Sequence, residues 1–499
     1  MSAALSTESV KSQAQGLSYR NQAFIGGQFA DAASGKTFDC VSPIDGKVLT
    51  QVAAGDAEDV DRAVKAARAA FEDGRWRNMP PARRKKVLLR WADLIEQHAT
   101  ELALLETLDM GKPIGDSSRI DIPAVATCIR WYGEAVDKMY DEIAPTGSDA
   151  VAMMVREPLG VVGAVVPWNF PLLMAAWKMG PALATGNSMV VKPAEQSPLT
   201  AIRAAELAVE AGLPEGVLNV VPGFGETAGQ ALGRHMDVDA IAFTGSGEVG
   251  KLFLKYSGES NMKRVSLECG GKTPNIVMAD APDLDAAATA AAWAIFFNQG
   301  EVCNAGSRLL VEESVKDELL ERIMKVGREM RVGDPLDPGT QMGAMVDDTQ
   351  MDRVLGYIGK GQAEGARLAM GGERIMAETG GYYIEPTVFD NVNNDMSIAQ
   401  EEIFGPVLST ISFSDPEEAI RIGNDTIYGL ASAVWTSDIT KAHKAAKALR
   451  SGVVWVNCFD AGDITTPFGG FKQSGFGRDK SLHAMEKYTE VKTIWIDLN

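Results

Sequence analysis

VLNVVPGFGETAGQALG (217–233) and DAIAFTGSGEVGKLFLKYS (239–257) are built alike. Each passes from a β-branched apolar run through a glycine turn into an amphipathic helical pattern. Gly223, Gly225 and Ala228 satisfy G-x-G-x-x-[GA] in the first; Gly245, Gly247 and Gly250 satisfy G-x-G-x-x-G in the second. Glycine lets the backbone approach a pyrophosphate, and the helix that follows supplies N–H donors and a positive dipole end. The alternative is a plain tight turn between strand and helix. Glu268, about 20 residues past the second loop, stands where such a fold places its ribose-binding acid.

Outward from these loops the same texture repeats. VVGAVVP (161–167) precedes one helical pattern, and SMVVKP (188–193) precedes another, PLTAIRAAELAVEAG (198–212). Strands joined by crossover helices of this length predict a parallel, doubly wound α/β sheet. A second series starts near Glu268, with NIVMA (275–279), DLDAAATAAAWAIFF (283–297), SRLLVEESV (307–315) and SGVVWVNC (451–458). Two α/β domains are therefore expected, with a break near 268–275. Residues 23–52 read as short strands and 56–139 as helices, with Gly111 and Pro113 as stops. EVKTIWIDL (490–498) alternates like an edge strand that needs a partner.

The chain has 499 residues, enough for about three domains as a prior. Lys plus Arg number 48 against 67 Asp plus Glu, a net charge of −19 that argues against nucleic acid or an anionic membrane as partner. Leu159–Trp177 carries no charge over 19 residues, yet Pro167, Asn169 and Pro171 break it, so a strand, a loop and a helix are expected rather than a membrane span. MSAALSTESVKSQAQG at the start has no apolar core like that of a signal peptide. Cys40, Cys128, Cys269, Cys303 and Cys458 form no CxxC pair, and the four histidines show no HExxH spacing. No metal site is expected, and reduced thiols in a cytoplasmic protein are.

Three residues carry candidate chemistry, each with a bland alternative. Cys303, in NQGEVCNAGS, lies in a loop bracketed by Gly300 and Gly306; it is a nucleophile or an inert thiol. Glu268, in LECGGK, is an acid–base group or an ion-pair partner. Asn169, in PWNFP, is a functional amide or the cap of the helix that starts at Pro171.

PWNFP (167–171), VKPAEQSP (191–198), FTGS (243–246), LECGGK (267–272), NQGEVC (298–303), EEIFGPV (401–407) and PFGGFKQSG (467–475) together resemble the aldehyde dehydrogenase superfamily. The likeness runs from about residue 21 to the end. GRDKSLHAMEKYTEVKTIWI and DIPAVATCIRWYGEAVDK are most similar to the γ-glutamyl-γ-aminobutyraldehyde and ω-aminoaldehyde dehydrogenases of polyamine breakdown. Betaine-aldehyde or broad aliphatic aldehyde dehydrogenases are the alternative, and a silent crystallin-like relative the non-enzymatic one. The resemblance implies a cofactor domain (21–140 and 160–268), a catalytic domain (269–478) and a small β oligomerisation element (141–159 and 479–499) of a homodimer or homotetramer.

The resemblance also implies roles. Cys303 would add to the aldehyde, Asn169 would hold the oxyanion, and Glu268 would activate water, which displaces the ribose reading. NAD, preferred over NADP, would meet Trp168, Lys192, Glu195, Gly225, Thr244, Gly245, Ser246, Glu402 and Phe404. The substrate tunnel would take Phe170, Trp177, Phe297, Asn457 and Phe459, with Asp121, Asp460 and Asp463 facing a cationic substrate end. Glu301, two residues before Cys303, would raise the thiol pKa if it faced the sulfur.

Overall fold

The structure is a computed structural model and describes residues 6–499. Its first sheet has eight strands, in the order Gln28–Ala30, Ala23–Ile25, Leu218–Val220, Ser188–Lys192, Val161–Val165, Ala240–Gly245, Arg264–Cys269 and Gly475–Phe476. The five central strands are parallel, and the edges are antiparallel. Burial on both faces explains why the central strands read as unbroken apolar runs. Val161, Val165, Val190, Ile241, Phe243 and Leu267 pack on one face against Val60, Ala63, Val64 and Phe253 of the helices Ala57–Glu72 and Gly247–Gly258. Val162, Ala164, Met189 and Val191 point to the other face, with the helices Pro171–Ala184 and Leu199–Glu210. The period-two alternation of a strand thus makes the sheet doubly wound.

The second sheet has seven strands, ordered Arg367–Met370, Thr387–Asp390, Val407–Phe413, Arg308–Glu312, Pro274–Val277, Ala431–Trp435 and Val453–Val456. All but the first are parallel. The chain leaves one sheet at Cys269 and enters the other at Pro274. Within 269–478, Gly475–Phe476 returns to the first sheet and pairs with Leu267 and Glu268.

The helical stretch is divided more finely than the pattern predicts, with a break at His98 between Pro81–Gln97 and Ala99–Met110. Asp56 and Asp59 form a reciprocal capping box, and Gly111, at φ +87°, ends the third helix in the left-handed conformation. A separate three-stranded sheet joins Glu142–Ala144, Ala150–Pro158 and Thr489–Asp497. Its long pair runs without a slip from Thr489 opposite Pro158 to Asp497 opposite Ala150. No helix among the described residues is long and apolar enough to cross a membrane.

Candidate active site

In the first sheet, strand order reverses between Val161–Val165 and Ala240–Gly245. Loops leaving the carboxyl ends of two such strands diverge to opposite faces and open a crevice. Trp168 and Asn169 follow the first strand, Thr244, Gly245 and Ser246 close the second, and Glu268 ends the next one over. Cys303 arrives from the other sheet's side, in the loop between the helix Leu284–Phe296 and the strand Arg308–Glu312. All of these residues, with Glu402 and Phe404, line one cavity of about 200 Å³.

The Cys303 loop is an unusual turn. Asn298, Gln299 and Gly300 are consecutively left-handed, at φ 48°, 57° and 72°. Gln299 Oε1 accepts from Gly343 N at 2.9 Å, and Glu301 Oε1 accepts from Val346 N at 3.0 Å. Asn169 is no helix cap: that position falls to Phe170. Its Nδ2 instead donates to the Glu301 carbonyl at 2.8 Å.

Burial dominates the electrostatics. It pushes the Cys303 thiol well above its ordinary value, and the Glu268, Glu402 and Asp460 charges add to the shift. Glu301 has no part in this, contrary to the expectation from its place in the sequence, because its carboxyl points to Val346. Burial and the Asp479 charge push Glu268 up to about 8, against the pull of Lys178 and Lys487. Both lysines are ion-paired to Asp479; Lys178 is buried and Lys487 half-buried. Glu268 Oε1 is buried without a partner, as is Thr244 Oγ1.

The cofactor candidates fit a dinucleotide. Lys192 Nζ lies 2.8 Å from Glu195 Oε2, a cation–carboxylate pair suited to ribose hydroxyls. Ser246 Oγ accepts from Val249 N and caps the helix Gly247–Gly258, whose N-terminus faces the Thr244–Ser246 turn. Gly225 opens the helical turn Gly225–Gly229 beyond the strand Leu218–Val220, and a Cβ there would meet nothing within 4 Å. Trp168 and Phe404 meet edge to face at 5.2 Å, and Glu402 Oε1 accepts from Gly271 N at 3.0 Å. The unpartnered Thr244 hydroxyl leaves a polar atom for a ligand to satisfy.

The sequence profile of the aldehyde dehydrogenase family matches residues 29–494. The chain belongs to the aldehyde dehydrogenase family. It is 54% identical over 486 residues to the NADP/NAD-dependent aldehyde dehydrogenase PuuC of Escherichia coli, covering 97% of each chain. Its fold superposes with a TM-score of 0.98 on an indole-3-acetaldehyde dehydrogenase solved with NAD+, at 61% identity over 99% of this chain and 100% of that one. The TM-score is again 0.98 for the γ-glutamyl-γ-aminobutyraldehyde dehydrogenase of Burkholderia cenocepacia, at 58% identity over 99% and 100%.

Among the substrate-side expectations for this dehydrogenase, those for Asp121 and Asp463 need correction. Asp121 is fully buried and ion-paired to Lys112, so it faces no tunnel mouth. Asp463 is an exposed turn former whose Oδ1 accepts from Thr465 N at 2.9 Å and from Thr465 Oγ1 at 2.6 Å. Asn457 bonds both ways to the Thr436 backbone and so ties two strands together. Trp177 packs 5.4 Å from Phe468, outside the cavity wall. Phe170 covers the Lys112 ammonium at 4.1 Å and stands 6.3 Å from Phe297.

Phe297, Phe459 and Asp460 do come together, around a second cavity of about 340 Å³ that borders the Cys303 loop through Val302 and Asn304. Asp460 is exposed at its rim, and its Oδ1 accepts from Asn304 Nδ2 at 2.7 Å. Ile120, Trp293 and Asn304 also line it and were missed from the sequence. One signal was available: Trp293 stands in an alanine-rich helix, four residues before Phe297, on the stripe that Ala290 and Ala294 leave open.

Proposed function

We propose that this dehydrogenase oxidises ω-amino, ω-guanidino or γ-glutamylamino aldehydes to carboxylic acids with NAD, through a covalent adduct on Cys303. One arrangement carries the reading: Cys303, Asn169 and Glu268 surround a single cavity, and an aromatic-walled cavity with Asp460 at its rim borders the same loop. An aldehyde carbon releases hydride readily only once it is tetrahedral. Ionised Glu268 takes the Cys303 thiol proton and passes it to solvent, Sγ bonds to that carbon, and the C=O π bond breaks to leave an oxyanion. The Asn169 amide and the Cys303 backbone N–H hold the oxyanion, one such donor being worth about 3 kcal/mol. Bound NAD supplies the hydride acceptor, which leaves an acyl thioester on Cys303. Glu268 then takes a proton from water, the hydroxide attacks the acyl carbon, and the C–S bond breaks to give acid and thiolate.

Trp293, Phe297 and Phe459 suit the alkyl part of the substrate, and Asp460 suits a cation at its far end. The B. cenocepacia relative, named for a γ-glutamylamino aldehyde, supports this reading. The aromatic walls equally favour an aryl aldehyde such as that of the indole-3-acetaldehyde relative. Glu195 favours NAD, since a 2′-phosphate beside it would meet like charge. Five free thiols suit a reducing cytoplasm. The exposed apolar residues of the three-stranded sheet suit a homodimer or homotetramer.

A steady-state panel tests the reading. 4-Aminobutanal should exceed butanal by up to about tenfold in kcat/KM at low salt, and the ratio should fall toward one in Asp460→Asn. NAD should exceed NADP by about tenfold, roughly 1.4 kcal/mol. Cys303→Ala should abolish turnover and keep NAD binding. Equal rates for the two aldehydes, with indole-3-acetaldehyde preferred, would select the aryl reading.

A further inference from the structure

We infer that Glu301 is a positioning residue for the oxyanion site, whose side chain clamps the Cys303 loop to the backbone at Val346 while its carbonyl fixes the Asn169 amide. The inference rests on the reading of Cys303 as nucleophile. Left-handed backbone is disfavoured for residues with a Cβ, so Asn298 and Gln299 hold it only if the surroundings impose it. Side-chain tethers from this loop reach the segment 343–346 at two points, from Gln299 to Gly343 N and from Glu301 to Val346 N.

The Glu301 carbonyl is a hub. It accepts from Asn169 Nδ2 at 2.8 Å and from Asn298 Nδ2 at 3.2 Å, and Asn298 Nδ2 also donates to the Asn169 carbonyl at 3.1 Å. A primary amide has two N–H donors in one plane. With one fixed on Glu301, the direction of the other is set, and this is the donor available to an oxyanion. Any rotation of the Glu301 peptide would therefore move both members of the oxyanion site, Asn169 and the Cys303 backbone, together.

The side chain does this without a cation partner. Glu301 is 0% exposed, and no cation pairs with it: Lys112, the ammonium that pulls its pKa down, is held by Asp121. Burial and the Asp347 charge push the carboxyl well above the ordinary carboxylate range, against Val346 N, the Gln299 amide and Lys112. A glutamine side chain has nearly the same shape, and its Oε1 accepts the same hydrogen bond from Val346 N.

Substitutions at Glu301 and Asn169 test the inference. Glu301→Gln should keep kcat within about threefold of the parent. Glu301→Ala should lose roughly a hundredfold in kcat with KM within threefold, and NAD binding and the rate of Cys303 alkylation by iodoacetamide should change little. Alkylation forms no oxyanion, so a general collapse of the loop would slow it too, and that result would overturn the inference. Adding Glu301→Ala to Asn169→Ala should cost little more than Asn169→Ala alone, because both act on one site. Multiplying losses, or a parental kcat in Glu301→Ala, would overturn it as well. Should Glu301→Ala fail to fold, Glu301→Asp, too short to reach Val346, is read by the same criteria. Turnover in Cys303→Ala would instead refute the nucleophile assignment on which the inference stands.

Discussion

Glu268 enters the site with a carboxyl pushed up to about 8 and one oxygen without a partner. A carboxylate that must accept a proton from water works only when ionised. The hydrolytic step should therefore speed up with pH and level off above about 8, and Glu268→Gln should remove both the rise and most of the rate. Stability should move the opposite way. The folded chain keeps the Glu268 proton from about pH 4.5 to 8 while the unfolded chain has released it, so the parent loses stability as pH rises through that window. Glu268→Gln does not titrate. Thermal unfolding at several pH values should show it gaining on the parent up to about pH 8, by at most about 5 kcal/mol, and no further. At this scale the sequence was readable where motifs mark residues that converge. Cys303, Glu268 and Asn169 line one cavity, as the resemblance implies. Asp121 and Asp463 look alike as letters, but one meets Lys112 in the core and the other closes its own turn. Such partners are set by packing, which periodicity does not record.

Among the elements, the turn before Cys303 carries the greatest conformational demand. Gly300 sits at φ +72°, where a Cβ would collide with the Gly405 carbonyl. Gly300→Ala should therefore destabilise by roughly 2–4 kcal/mol and lower turnover at least tenfold by shifting the nucleophile, measurable by urea unfolding and steady-state rates. The parallel strands and crossover helices were legible because apolar runs, caps and glycine turns are local signals. The edge strand Gly475–Phe476 was not, because two residues have no periodicity and their pairing with Leu267 and Glu268 depends on the tertiary path. The break at His98 escaped for a related reason: apolar spacing continues across it.

For the molecule as a whole, the three-stranded sheet carries an apolar surface that the described residues leave open. Trp495 is 64% exposed, and Val491, Leu498, Ile143 and Tyr140 are also open to solvent. An apolar surface on an extended strand invites a partner. Trp495→Glu should shift the protein toward monomer in sedimentation velocity, most at low salt, because a further negative charge adds to a net −19. The alternation in EVKTIWIDL foretold a strand in need of a partner, but composition could not say what meets its exposed side. Segments made late also complete the surroundings of Glu268. Gly475–Phe476 completes the edge beside Glu268, and Asp479 anchors Lys178 behind it, yet both are translated more than two hundred residues after Glu268. A nascent chain that has emerged through the cofactor turns and Cys303 still lacks this backing. The surroundings of Glu268 are thus completed only once residue 479 has been made, and a chain that stops before residue 475 lacks both the edge strand and the anchor for Lys178.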